Sequence, residues 1–186
     1  EKEREREIWI PSSNRSYFCL FQGRFHYQTS SRYHRERERI KELAERKLFP
    51  CVVKQETQTL FTVPNIILFR NILSHTVFAI CPSGNNPETF RHYEALEAGA
   101  IPLFVQPDAE VDFLSQWEGY PGPVLSSWDH LSLFLSNVSM QETVIFLTLL
   151  NRETDMIQFN IITWYTAYKQ KIREKIHSSL LKIIST

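Results

Sequence analysis

The segment FAICPSGNNPETFRHYEALEAGAIPL, residues 78–103, decides the fold. An apolar, β-rich run over 76–81 leads into a turn-forming cluster over 82–86, and a second apolar run follows at 100–105. The residues between the cluster and the second run have the composition of a short helix. This order predicts a strand, a turn, a helix and a second strand, which is the repeating unit of a parallel α/β sheet.

Boundary signals inside this segment sharpen the prediction. Asn86 is a favourable N-cap and Pro87 a favourable first helical residue, so we predict a helix from Pro87 to about Ala98. Gly99 suits the left-handed position that commonly follows a helix. Pro102 has no N–H for a ladder hydrogen bond, so it predicts an edge strand or a bulge.

The same alternation of strands and helices extends in both directions from this segment. Further strands are predicted at 17–21, 51–53 and 124–125, and further helices at 35–47, 64–72 and 129–135. We therefore predict an α/β fold with a Rossmann-like parallel sheet flanked by helices. A charged N-terminal extension at 1–14, a Rossmann-like domain at 15–140 and C-terminal helices at 141–186 are the predicted units.

Composition excludes several classes of protein. The 186 residues are 42% hydrophobic and 13% aromatic, which is enough apolar material to form a core rather than a disordered chain. Lys and Arg number 21 and balance 21 Asp and Glu, so a uniformly basic nucleic-acid binder is not expected. No run of about 18 apolar residues predicts a membrane span, and the first residues lack the apolar stretch of a signal peptide.

Polar residues at the turn and on the following helix suggest a nucleotide site. Ligands of open α/β sheets bind beyond the carboxyl ends of the strands, and the start of a helix favours phosphate. The Arg91 guanidinium could bind phosphate oxygens, and the Glu94 carboxylate, three residues later, could accept ribose hydroxyls. The turn residues that could let a pyrophosphate approach are Ser83, Gly84, Asn85 and Asn86.

Each of these assignments has an alternative. Arg91 and Glu94 have the spacing of an ordinary ion pair on a helix surface. The turn at 82–87 matches neither a Gly-x-Gly-x-x-Gly nor a P-loop pattern, and it could be a plain loop. Glu88 would compete with a phosphate at the helix start. The alternating charges of 35–47 predict a solvated helix face.

The cysteines and histidines do not indicate a metal site. Three cysteines are too few and too scattered for a disulfide scaffold or a zinc site, and the histidines lack the spacing of metal ligands. Cys81 is expected to be a small buried apolar residue. A disulfide from Cys81 to Cys19 or Cys51, formed in an oxidising compartment, is the alternative.

The run CPSGNNPETFRHYEALEAGAIPL resembles the sugar-donor signature of the exostosin-like glycosyltransferases. That family has a Cys-Pro-x-Gly turn, an Arg, a Glu-Ala pair three residues later, then Gly or Cys, Ile-Pro and an apolar strand. Ribitol-xylosyltransferase-like proteins share this signature. The strand at 17–23 with Arg24, and the residues Phe113, Leu114 and Trp117, are similar to flanking parts of the family, so the likeness covers about 15–140.

The resemblance implies a GT-B architecture in which this chain is the C-terminal half that binds the sugar donor. By the family pattern, Arg91 would contact the diphosphate and Glu94 the ribose. Arg24 could add a second cation, while Ser83 and the amides near Asn86 could complete the phosphate site. No metal is implied.

The implied reaction is the inverting transfer of a sugar from a nucleotide sugar, a UDP-sugar, to a glycan or glycoprotein acceptor. The general base would come from an N-terminal lobe outside this chain, so no catalytic residue is assigned. The resemblance further implies a full-length protein anchored in the Golgi or ER membrane with this half in the lumen.

Two other functions remain open from the sequence. The chain could be a degenerate, non-catalytic α/β module that binds a protein partner, as its charged segments and the absent acceptor half would allow. A GT-B-type epimerase would use the same nucleotide site. Asp108, Glu110 and Asp112 could line the cleft, or they could form a solvated acidic loop.

Overall fold

Five parallel strands form one sheet in the computed structural model, within its described residues. The described residues are 9–25, 34–48, 51–55, 63–84, 88–106, 115, 117–139 and 144–184. The strands are β1 (Tyr17–Gly23), β2 (Cys51–Gln55), β3 (Thr76–Ile80), β4 (Ile101–Val105) and β5 (Val124–Leu125). Their spatial order is β2-β1-β3-β4-β5, which confirms the predicted α/β fold.

Helices connect the strands and extend beyond the last one. They are α1 (His34–Glu45), α2 (Val63–Ser74), α3 (Phe90–Glu97), α4 (Leu131–Ser139) and α5 (Val144–Ile184). Short 3₁₀ turns lie at Ser12–Asn14 and Trp128–His130. None of the helices, as far as the structure describes them, is long and apolar enough to cross a membrane.

The strand order changes direction between β1 and β3, and we call the boundary at the carboxyl ends of these two strands the crevice. After β1 the chain returns through α1 to β2 on one side, whereas β3 lies on the other side of β1. The loops that follow β1 and β3 therefore leave the sheet in opposite directions. In doubly wound sheets this divergence is where ligands bind.

The core is built on β3, whose five residues are all buried. The ring of Phe78 makes edge contacts with Phe18 of β1 and Phe134 of α4, with centroids 5.5 and 5.6 Å apart. Farther along the sheet, the ring of Phe104 in β4 packs against the Trp117 ring, with centroids 5.7 Å apart. These aromatic contacts fix helices and loops to the sheet and hold its carboxyl edge in place.

Helix α3 begins at Phe90, so the predicted start at Pro87 is wrong. Thr89 is the N-cap, and its N–H donates to His92 Nδ1 at 3.1 Å in a capping-box arrangement. The Thr89–His92 capping box thus sets the start of the helix. Arg91 consequently lies in the first turn of α3.

The predicted end of α3 is confirmed. Gly99 has φ 66°, the left-handed conformation, and its N–H donates to the carbonyl of Leu96 at 3.1 Å. The N–H of Ala100 donates to the carbonyl of Ala95 at 2.9 Å. This pair of bonds is a Schellman motif, which places Glu97 and the start of β4 close together.

Pro102 lies in an inner strand, so the predicted edge position is wrong. β4 pairs with β3 on one side and with β5 on the other. The β5 pairing begins only at Phe104, two residues beyond the proline. Where β5 offers Pro102 no register partner, the carbonyl of Pro102 accepts a hydrogen bond from the Tyr120 hydroxyl at 3.3 Å.

The three cysteines form one disulfide and leave one buried thiol. Cys19 of β1 and Cys51 of β2 are register partners and are joined, with Cα atoms 4.7 Å apart. Cys81 is buried and free, as its small apolar character predicted, so the disulfide alternative for it is wrong. Burial raises the pKa of the Cys81 thiol to about 12.

The residues before β1 pack against the domain. Arg15 is buried, and its guanidinium donates to the carbonyls of Thr76 at 2.7 Å and Ala98 at 3.1 Å. Desolvation lowers the pKa of Arg15 to about 10, partly offset by Asp155. The N–H of Ser12 donates to a side-chain oxygen of α5, so this segment connects β3, α3 and α5.

Helix α5 is attached along its middle. Trp164 donates to the carbonyl of Glu118 at 3.0 Å, and the Tyr165 hydroxyl donates to Glu97 at 2.7 Å. Lys169 also binds the Glu97 carboxylate, at 3.2 Å. Beyond it, residues 170–183 are all exposed.

Candidate functional site

The sequence-predicted site residues that the structure describes lie around the crevice between β1 and β3. Arg24 follows β1, Ser83 and Gly84 follow β3, and Arg91 lies in the first turn of α3. Asn85 and Asn86 lie outside the described residues, as do residues 107–114 with the three acidic residues and Phe113. The topology thus brings three separate parts of the predicted site to one edge of the sheet.

Arg91 is held directly at the carboxyl end of β1. Its Nη1 donates to the carbonyl of Gln22, and its guanidinium carbon lies 4.4 Å from the centre of the Phe69 ring. Its Nε lies 3.4 Å from Glu94 Oε2, and the two side chains are 21% and 42% exposed. The ion pair considered from the sequence is present, and it lies at the crevice.

Neighbouring residues hold the loops that follow β1 and β3. A Cβ added at Gly84 would lie 3.3 Å from Thr89 Cγ2, so the β3 loop runs close against the residue that caps α3. The carbonyl of Arg24 accepts a hydrogen bond from Arg37 of α1 at 2.9 Å, and the Arg24 side chain is half-buried. Both loops are therefore fixed by neighbouring elements.

Arg37 links the loops across the crevice. This buried side chain donates from Nε to the carbonyl of Ser83 at 2.9 Å and from Nη1 to the carbonyl of Arg24 at 2.9 Å. Hydrogen bonds from a charged group to backbone carbonyls are stronger than neutral ones. Arg37 thus sets the spacing between the ends of β1 and β3.

Glu36, beside it on α1, binds the other side of the same turn. Its carboxylate accepts hydrogen bonds from the N–H of Ser83 at 3.1 Å and from the Ser83 hydroxyl at 2.7 Å. The indole N–H of Trp128 donates to the same carboxylate at 2.9 Å. The N–H and the hydroxyl of Ser83 therefore both donate to Glu36.

The prediction of a solvated face for 35–47 is wrong at Glu36 and Arg37. The alternating charges did not predict their burial, because residue type alone does not distinguish a buried, hydrogen-bonded Arg from an exposed one. A signal was available in the spacing. Arg37 lies three residues before Ile40, so it belongs to the stripe of α1 that faces the sheet.

The Glu88 carboxylate, which was expected to compete with a phosphate at the start of α3, is hydrogen-bonded to two aromatic side chains. Its carboxylate accepts a hydrogen bond from the Tyr93 hydroxyl and another from the Trp117 indole at 3.2 Å. Burial, and then the bond to Glu88, raise the pKa of Tyr93. The residues that precede α3 are therefore tied to the aromatic cluster behind it.

In the part of the chain that the structure describes, no three His, Cys, Asp or Glu side chains form a group able to hold a metal.

A family model described as the RXYLT1 C-terminal domain matches residues 2–184. The chain belongs to this family. The RXYLT1 C-terminal domain family is ribitol-xylosyltransferase-like and is related to the exostosin-like glycosyltransferases, so the resemblance carried by residues 78–103 is confirmed. No curated protein matches the chain.

Proposed function

We propose that this chain binds the sugar donor of a glycosyltransferase that transfers a sugar, with inversion, from a UDP-sugar to a glycan or glycoprotein acceptor. Membership of a ribitol-xylosyltransferase-like family supports the enzyme class. The observation that carries the finer proposal is the position of Arg91 and Glu94. They stand side by side where the carboxyl end of β1 meets the crevice.

Arg91 is assigned to the diphosphate. A guanidinium has five N–H groups, and its contacts with Gln22 and Glu94 involve two nitrogen atoms and leave further N–H groups for phosphate oxygens. When the sugar leaves, negative charge develops on the diphosphate. A cation already fixed in place by Gln22 and Phe69 stabilises that charge without reorganisation.

Glu94 is assigned to the ribose. Its side chain is 42% exposed and lies beside Arg91, so the carboxylate can accept hydrogen bonds from two neighbouring hydroxyls. Arg24 would supply a second cation from the loop after β1. Asn85 and Asn86 keep their predicted role beside Ser83 and Gly84 in the phosphate turn.

The transfer itself needs groups from a second lobe. An acceptor hydroxyl attacks the anomeric carbon on the face opposite the diphosphate, the bond to the diphosphate oxygen breaks, and a general base takes the hydroxyl proton. We assign the base and the acceptor site to an N-terminal lobe. The proposed mechanism uses cations and backbone N–H groups, with no metal in any step.

We further propose that this half works in the lumen of the Golgi or ER, in a full-length protein that is anchored in the membrane. The disulfide between Cys19 and Cys51 supports that location. Disulfides persist in oxidising compartments and are rare in the cytosol.

The test is a calorimetric titration of UDP into the wild-type chain and into the Arg91→Ala and Glu94→Ala variants. Losing charge-assisted hydrogen bonds costs about 1.5–3 kcal/mol, so Arg91→Ala is expected to weaken binding about 10- to 100-fold. Glu94→Ala is expected to weaken it about tenfold. The matched controls are Arg39→Ala and Glu42→Ala, which remove an Arg–Glu pair of the same spacing on α1.

Equal affinity in the wild type and in both site variants would exclude the assigned site. No UDP binding at all, together with recovery of a protein partner in a pull-down, would favour the non-catalytic module. If UDP binds as expected, product analysis with a UDP-sugar and the full-length protein separates a transferase from an epimerase.

A further inference from the structure

The turn after β3 binds a carboxylate of the protein itself, that of Glu36. Three hydrogen-bond donors converge on the Glu36 carboxylate: the N–H of Ser83 at 3.1 Å, the Ser83 hydroxyl at 2.7 Å and the Trp128 indole N–H at 2.9 Å. We call these three groups the Ser83–Trp128 cradle. Ser83 and Trp128 are buried, whereas Glu36 is half-buried.

The cradle has the composition of a phosphate site. The backbone N–H and the indole N–H can only donate, and the Ser83 hydroxyl donates in this direction, so all three suit an oxyanion. The buried guanidinium of Arg37 fixes the other side of the turn through the carbonyl of Ser83. Gly84, next in the chain, packs against the residue that caps α3, since an added Cβ would lie 3.3 Å from Thr89 Cγ2.

We propose that Glu36 is an internal occupant of the diphosphate site and that a phosphate group displaces it. This proposal rests on the proposed function, since it places one phosphate of the UDP-sugar on the Ser83–Trp128 cradle. Without ligand, the carboxylate satisfies donors that would otherwise be buried and unpaired. With ligand, phosphate oxygens accept the same bonds, and Glu36, in the first turn of α1, turns toward solvent.

The sign of one mutational effect separates this role from a purely structural one. A carboxylate that only braces the turn stabilises the shape that binds ligand, so its removal weakens binding. A carboxylate that occupies the site competes with the ligand and repels its charge. Its removal therefore tightens binding.

The experiment measures the affinity of UDP and of inorganic pyrophosphate for the wild type, Glu36→Ala and Glu36→Gln by calorimetry. We expect Glu36→Ala to bind both ligands on the order of tenfold more tightly and Glu36→Gln to change in the same direction by less. Glu45→Ala removes an exposed carboxylate at the far end of α1, and it is expected to leave both affinities unchanged. Adding Ser83→Ala to Glu36→Ala removes one donor of the cradle and is expected to cancel much of the gain.

Unchanged or weaker binding in both Glu36 variants would overturn the proposal. If Glu36→Ala does not fold, as circular dichroism would show, the isosteric Glu36→Gln decides. Should Arg91→Ala and Glu94→Ala weaken UDP binding while the Glu36 variants show no gain, the proposed function stands and this inference fails. Tighter pyrophosphate binding in Glu36→Ala without any binding of UDP would support the cradle and reject the nucleotide site.

Discussion

At the scale of single residues, Gly99 shows how a turn position can also be a packing position. Its φ of 66° is one that residues with a Cβ adopt only with strain. A Cβ there would overlap the indole of Trp9 and lie 3.0 Å from Nη2 of Arg15. The end of α3 therefore needs a glycine at position 99 for two reasons. The backbone there is left-handed, and Trp9 and Arg15 of the N-terminal segment pack where a side chain would lie.

Gly99→Ala is expected to lower the free energy of unfolding by about 2–4 kcal/mol, since backbone strain and overpacking add. Gly119→Ala is a matched control, because Gly119 has φ 74° and its added Cβ would meet nothing within 4 Å. Strain alone predicts a loss of about 1 kcal/mol for that control. Denaturant unfolding of both variants measures the difference, and equal losses would show that contact with Trp9 is unimportant.

The residues Glu36 and Arg37 mark the limit of what residue identity predicts. The letters and spacing of α1 were enough to predict a helix and its apolar stripe at Ile40 and Leu43. They did not predict that the two charged side chains would bind the turn at Ser83, 46 residues away from Arg37. That contact depends on the sheet order that places α1 beside the end of β3.

At the scale of secondary-structure elements, β2 is the least protected strand. It lies at the edge of the sheet, where three of its five residues are exposed. Edge strands have pairing partners on one side only. The disulfide from Cys19 to Cys51 joins β2 covalently to the buried strand β1, across a sequence separation of 32 residues.

Reduction with dithiothreitol, or the substitution Cys51→Ser, is expected to lower the free energy of unfolding by about 3–4 kcal/mol, from the loop entropy that the cross-link removes in the unfolded chain. Guanidinium unfolding measures it. Dithiothreitol should not change the Cys51→Ser variant, because Cys81 is a free thiol. A further loss in that variant on reduction would contradict the assigned pairing.

At the scale of the whole molecule, an aromatic cluster joins α3, β4, the 117–120 loop and α5. His92 lies inside it, fully buried, with its ring 5.1 Å from Phe104 and 5.7 Å from Trp117. Burial lowers the pKa of His92 to about 4, and the nearby charge of Arg91 adds to this, while the Thr89 carbonyl opposes it. The charge state of one buried ring is therefore coupled to the stability of the whole fold.

Stability is expected to fall as the pH drops from about 6.5 to about 4. In this range the unfolded chain protonates His92 and the native protein does not, so protons favour unfolding. One proton gives a slope of at most about 1.4 kcal/mol per pH unit, or about 3 kcal/mol across the range. Denaturant unfolding between pH 7 and 4.5 measures it.

The variant His92→Gln is expected to be less stable at neutral pH but to lose this component of the slope. His130→Gln, which changes an exposed histidine, provides the control and should keep it. An unchanged slope in His92→Gln would show that another group causes the acid sensitivity.

The amino-acid sequence by itself determined the alternation of strands and helices, the end of α3 at Gly99 and the family carried by residues 78–103. These properties follow from local patterns of apolar spacing, turn residues and motif, which act over a few residues. Only the tertiary structure decided the inner position of Pro102, the disulfide partner of Cys19 and the contacts of Glu36 and Arg37 with the β3 turn. Those depend on which strands become neighbours, and strand order is fixed by packing between residues that are distant in the chain.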